Sequence, residues 1–185
     1  MQVLKTKLSR PSMLNGRAMQ RPQLLSQIVD YCQSSLVFIH AAAGYGKTTL
    51  MHQLSESLLA KGKKVCWLTL DDDENDPIRL YQYLRLALLD LEPPHSISYG
   101  QIHKQYIIEL TQKVAEEDAD TVLFIDEFEA LTNPECLNIF WWLYQSLPEN
   151  CHLVIASRVK PNWSFAKEYL LGRLKWVTES QLSIK

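Results

Sequence analysis

Residues 36–50, LVFIHAAAGYGKTTL, leave a chain few choices of fold. Branched and aromatic side chains open the stretch and read as a buried strand, small residues and two glycines follow, and a Lys-Thr-Thr sequence then enters a segment of helical periodicity. Strand, glycine loop and helix in that order form a cradle for a polyphosphate. Several negative charges leaving water are best met by backbone N–H groups that all point inward, and a loop of that kind tolerates no obstructing side chains. Gly44 and Gly46 supply the freedom, and the helix that begins near Lys47 adds its unpaired N–H groups and the positive end of its dipole. Lys47 is placed to reach the outer phosphates, Thr48 to enter the shell of a Mg²⁺ ion, and Thr49 to face the inner phosphates. The pattern G-x-x-x-x-G-K-[ST] has Ala41 at its first position here, which a tight turn accepts provided its φ stays negative.

Further along, residues 122–126 are four apolar residues ending in Asp126, followed at once by Glu127. Behind a phosphate loop, such a strand end is the expected partner of Lys47 and Thr48. Asp126 would hold the Mg²⁺ shell and Glu127 would polarise a water for attack on the terminal phosphate. A later apolar strand, residues 151–157, ends on Arg158, an arginine suited to sensing that phosphate or stabilising its developing charge; an ordinary exposed arginine is the alternative. Asp71 offers two readings, a place at the ligand crevice or a role in the loop, whereas residues 72–74 read as a solvated acidic loop ahead of a helix capped by Asp76 with Pro77 in its first turn.

The remaining elements alternate. Helices are expected over residues 21–32, 47–61, 78–91, 101–117, 134–147 and 164–172, and strands over 65–70 and 174–178. The near-continuous apolar strands suit a parallel sheet covered on both faces. Residues 1–20 lack periodicity and read as an irregular arm, with one nucleotide-binding domain over 21–185. The first helix, with Leu24, Leu25, Ile28 and Val29 on one stripe, either lies over the nucleotide base or simply packs. The helix that carries Phe140, Trp141, Trp142, Leu143 and Tyr144 has no polar face along that run, so part of it either meets another domain or subunit or is enclosed within the domain.

With 185 residues and a formal net charge of −2, the chain has one domain's length and no basic footprint for binding nucleic acid by itself. Its four cysteines, Cys32, Cys66, Cys136 and Cys151, are widely spaced and read as reduced, buried thiols. With no apolar run long enough to span a bilayer, no membrane association and a cytoplasmic location are expected.

Taken together, KLSRP near the start, Arg21 with Leu24 and Leu25, AAAGYGKTTL, WLTLDDDENDPIRLYQYL, FIDEFEALTNP and LVIASR give a sequence that resembles the ATP-binding domain of the large LuxR-family transcriptional regulators of the MalT type, in the STAND group of signalling ATPases. Tyr45 within the glycine loop and the block from Trp67 to Leu84 carry the more specific part of the likeness. The resemblance implies an α/β P-loop NTPase fold, a three-layer α/β/α sandwich whose parallel five-stranded sheet has the order 5-1-4-3-2 of the additional-strand class. It implies ATP or ADP with Mg²⁺ as ligand, held by Ala43, Gly44, Tyr45, Gly46, Lys47, Thr48, Thr49 and Arg21. It also implies a slow ATP-driven switch that controls transcription through sensor and DNA-binding domains lying elsewhere in a larger regulator, of which this chain would be a fragment. Departures are Ala42 where the family has Pro, Glu127 where it often has Asp, and Gln23 where an Arg is common. A small P-loop kinase and a nucleotide-binding module without turnover are the alternatives. A kinase calls for an arginine-rich lid, and Lys160, Lys167 and Arg173 are widely spaced.

Overall fold

The computed structural model describes residues 4–12, 21–31, 36–91 and 101–183. Its strands are β1 (Leu36–His40), β2 (Lys64–Thr69), β3 (Thr121–Asp126), β4 (Cys151–Ser157) and β5 (Leu174–Thr178). They form one parallel sheet in the order β2-β3-β4-β1-β5, which read from the other edge is the order expected from the resemblance. The helices are α1 (Pro22–Tyr31), α2 (Lys47–Ala60), α3 (Pro77–Leu89), α4 (Lys104–Glu116), α5 (Pro134–Gln145), α6 (Ala166–Leu170) and α7 (Glu179–Leu182).

Alternation along each strand splits the interior into two cores. In β1, Val37 and Ile39 join Leu50, Met51, Leu54 and Leu58 of α2 and Ile28 of α1, whereas Leu36 and Phe38 join the side chains of α3, α4 and α5. Helices therefore cover both faces, and the strands are apolar on both because neither face meets water. Leu24, Leu25 and Val29 rest against the α2 core, which makes α1 a packing helix along its apolar stripe.

Caps set the element ends. The Asp76 side chain accepts from the Arg79 N–H at 2.9 Å with Pro77 as the first residue of α3, and Asn133 accepts from the Glu135 N–H at 3.0 Å to open α5. Gly62, at φ 78°, turns the chain out of α2.

Two expectations need correction. Residues 72–74 are not uniformly a solvated loop: they form a 3-10 turn, Asp72–Glu74, and the Glu74 side chain is fully buried. Its carboxylate accepts from the Lys7 ammonium at 2.8 and 3.0 Å, because the arm, although irregular, docks through a 3-10 turn, Lys5–Leu8, that buries Lys7. Asp71 lies not in the crevice but in that cluster, 2.7 Å from Lys7, and it caps the acidic turn through the Asp73 N–H. In α5, Phe140, Leu143 and Tyr144 are buried, while Trp141 and Trp142 are half-buried against the same core, so of this run only the outer parts of those two rings remain accessible to a neighbour.

Of the cysteines, Cys66, Cys136 and Cys151 are buried free thiols; Cys32 lies outside the described residues. Burial pushes them up to about 11, 12 and 12, away from reactivity at neutral pH. Among the described residues no helix is long and apolar enough to cross a membrane.

Candidate nucleotide site at the strand ends

β1, β3, β4 and β5 all deliver their C-terminal ends to one edge of the sheet, and the predicted site residues sit there. After His40 the chain turns through residues 41–46 into α2. Gly44 and Gly46 take φ of 85° and 78°, the left-handed region that a Cβ makes costly. At Gly44 a Cβ would meet nothing within 4 Å, so the backbone angle and not space demands glycine; at Gly46 it would sit 3.5 and 3.6 Å from the two terminal nitrogens of Arg21. Arg21 thus lies beside the loop. Ala41 is fully buried and avoids positive φ, so the departure from glycine at this position is accommodated. Its N–H donates to the Ser157 carbonyl at 3.3 Å, tying the loop to β4.

Lys47, 7% exposed, opens α2 and folds its ammonium back onto the Ala41 and Ala42 carbonyls at 2.7 and 2.9 Å. Thr48 follows on the same first turn and donates its hydroxyl to Asp126 Oδ2 at 2.8 Å. This contact joins the start of α2 to the end of β3, across the intervening strand β4. Thr49 is half-buried in the same turn, and Ala43 and Tyr45 are exposed.

Asp126 is 3% exposed. Burial lifts its carboxyl above the ordinary range, against the opposing pull of the Thr48 hydroxyl and the Glu127 N–H, which donates to Oδ1 at 2.9 Å. A hydroxyl and a carboxylate held together suit Mg²⁺, which takes one or two protein oxygens and completes its octahedron with phosphate and water. Glu127 sits at φ 57°, a strained setting for a non-glycine residue, of the kind that concentrates at functional sites. Its Oε2 accepts from Arg158 Nη2 at 3.0 Å. Burial and the neighbouring Glu129 raise the Glu127 carboxyl; at Glu129, backbone N–H bonds and Arg158 outweigh burial and hold the carboxyl low.

Two residues at this edge had no signal in the sequence. Glu129 lies 2.8 Å from Arg158 Nε, and Glu179, the first residue of α7, accepts the Ala42 N–H at 2.8 Å from a segment 137 positions away. Acids at loop and helix starts are commonplace, and only the folded chain brings these two to the loop.

A profile of the family described as an AAA domain matches residues 31–157, which span β1 to the end of β4. The chain belongs to that family. This AAA domain is also similar in fold to solved structures. Drosophila ORC bound to DNA is 13% identical with a TM-score of 0.51 over 84% of this chain and 91% of that one. Drosophila ORC bound to AT-rich DNA and Cdc6 is 13% identical, also at 0.51, over 85% of this chain and 55% of that one. C. elegans PCH-2 is 15% identical with a TM-score of 0.49 over 84% of this chain and 41% of that one. This AAA domain therefore spans about half the length of several of the proteins it matches, and likeness at these identities concerns the fold alone.

Proposed function

We propose that this AAA domain is an ATP- and ADP-binding switch with slow hydrolysis, of the kind used by MalT-like regulators in the large LuxR family. The observation that carries the reading is the Thr48 to Asp126 hydrogen bond of 2.8 Å, which brings the residue after the loop lysine and the acid at a neighbouring strand end to one point beside glycines of positive φ. The finer placement among STAND regulators is supported by Tyr45 in the loop and by the block from Trp67 to Leu84. Signal sensing and DNA binding in such regulators belong to other domains.

In this reading the amides of residues 43–49 face the phosphates, and Arg21, beside Gly46, lies near enough to take part in holding the nucleotide. Lys47 exchanges its two loop carbonyls for the outer phosphates, a swap favoured by charge. Thr48 and Asp126 would hold Mg²⁺, whose role when bound is to draw off charge from the outer phosphate oxygens. Glu127 accepts a proton from the attacking water, and Arg158 meets the charge that develops on the terminal phosphate.

Calorimetric titration with ADP and Mg²⁺ tests the cradle: wild type binds, and Lys47→Ala removes the signal. Equal affinity in the two proteins would end the phosphate reading. Glu127→Gln should bind as wild type and release phosphate about a hundredfold more slowly, the usual scale of a lost general base. An unchanged rate assigns the water to another group.

A further inference from the structure

Glu129 takes no part in the chemistry above, yet it holds Arg158 at two points. Its Oε2 accepts the Arg158 backbone N–H at 3.1 Å, and its Oε1 lies 2.8 Å from Arg158 Nε. The Glu129 side chain is 17% exposed, so this end of the arginine is fixed in a partly dry place. The other end is wet: Arg158 Nη2 meets Glu127 Oε2 at 3.0 Å, where the two side chains are 50% and 38% exposed. A guanidinium grips an anion best through two parallel N–H groups. Here Nη2 donates to Glu127, while Glu129 meets Nε by charge alone, its Oε1 accepting no hydrogen bond, so the guanidinium is divided between two carboxylates. Both stand on one tight turn, since Glu127 and Glu129 flank Phe128 in and beside the 3-10 turn Phe128–Ala130.

We propose that Glu129 is a positioning residue that parks Arg158 on Glu127 when no terminal phosphate is present. The inference rests on the nucleotide reading and adds a gate to it. With ADP, Arg158 stays between the two acids and Glu127 is neutralised by it. A terminal phosphate competes for the same guanidinium edge, and when Arg158 swings to it Glu127 is released to take a proton from water. The strength of the Glu129 hold then sets how far the domain prefers ATP over ADP. Because Glu129 is less exposed than Glu127 and also holds the Arg158 backbone N–H, the base of the arginine acts as the pivot and its tip moves.

The test uses the whole chain with Mg²⁺, and compares affinity for ADP with affinity for a non-hydrolysable ATP analogue whose outer phosphates are bridged by nitrogen. Glu129→Gln removes the charge at the pivot. Binding of the analogue should tighten roughly three- to fivefold, the scale of a partly exposed ion pair, while ADP affinity stays within about twofold. Arg158→Ala should bring the analogue down to the affinity of ADP, and adding Glu129→Gln to that background should change neither value. The last comparison separates positioning from charge: if the double variant gains affinity for the analogue as much as the single one does, Glu129 acts by repelling phosphate and the inference is wrong. An unchanged preference in Glu129→Gln, with Lys47→Ala still abolishing binding, overturns the gate and leaves the nucleotide site standing. Full binding by Lys47→Ala overturns both. Should Glu129→Gln fail to give a cooperative melt, Glu129→Asp, one methylene too short for both contacts, carries the same comparison.

Discussion

Asp126 shows at the scale of one residue how a site and a fold compete. Its carboxyl is 3% exposed and burial raises it above its ordinary value, so the folded chain binds this proton more readily than the unfolded chain. Stability contributed by such a group falls as pH rises through the folded value, and at neutral pH the ionised form is a cost that the Thr48 hydroxyl and the Glu127 N–H only partly offset. Asparagine keeps the shape while removing the charge: its oxygen can accept the Glu127 N–H and its amide can donate to the Thr48 hydroxyl oxygen. Asp126→Asn should therefore melt about 2–4 °C higher than wild type without ligand, the shift that about 1 kcal/mol produces in a chain of this size. It should also lose the added stability that Mg²⁺ with ADP gives wild type. Parallel thermal melts with and without the ligand pair check both halves, and a lower melting point for the variant alone would mean that the carboxylate supports the fold. Lys47, Thr48 and Asp126 were legible in the sequence because a phosphate loop fixes their order and spacing. Glu129 and Glu179 were not, because each reaches the strand ends from a place where an acid is unremarkable.

At the scale of elements, the docked N-terminal turn is the least anticipated part of the molecule. Lys7 and Glu74 are separated by 67 positions, and their side chains are 8% and 0% exposed. A run of acids such as DDDEND looks solvated in a sequence; nothing in it tells which carboxylate turns inward, since the deciding cation lies in a stretch without periodicity. Burial raises the Glu74 carboxyl in spite of Lys7, whereas at Lys7 the hydrogen bonds to Asp71 and Glu74 overcome burial and the ammonium is held more firmly than usual. Lys7 also stands 5.5 Å from the centre of the Tyr83 ring, and the Tyr83 hydroxyl accepts the Leu4 N–H at 3.1 Å, which secures the arm to α3. Lys7→Met leaves Glu74 buried without its cation and should cost about 3 kcal/mol in urea unfolding at neutral pH. The Lys7→Met, Glu74→Gln pair should recover more than half of that. Because the Glu74 carboxyl already lies above its ordinary value, the single variant gains stability relative to wild type as pH falls through that raised value, and the gap between them narrows. A gap that stays constant from neutral to mildly acid pH would mean that the loss comes from packing instead of charge.

Over the whole molecule, the sheet order and the aromatic side chains together connect the site to the far side of the α5 layer. The strand order was legible only through the resemblance: strands apolar on both faces carry no alternation from which to read their neighbours, so periodicity gave the strands and not their pairing. Burial partners were hidden for the same reason: Phe140, Leu143 and Tyr144 turned out to be buried in the core that α5 shares with α3 and α4, and Trp141 to rest against Trp163 and Phe165 beyond β4. Phe128, the residue after Glu127, packs edge-on against Phe140 at 5.1 Å and Trp163 at 5.5 Å. Trp163 in turn meets Trp141 at 5.7 Å and Phe165 at 5.6 Å, and Phe165 meets Trp176 of β5 at 5.6 Å. Close packing makes such a chain of rings respond as a unit to a shift at either end. A backbone rearrangement at Glu127 on nucleotide binding would shift Phe128, and with it the surroundings of Trp163. Tryptophan emission should therefore change when a non-hydrolysable ATP analogue and Mg²⁺ are added, and more so than with ADP if the terminal phosphate draws Arg158 off Glu127. Trp163→Phe should keep the affinity measured by calorimetry and lose most of the emission change. If the change persists in that variant, the signal arises at another tryptophan, and the turn from Glu127 to Ala130 stays still when nucleotide binds.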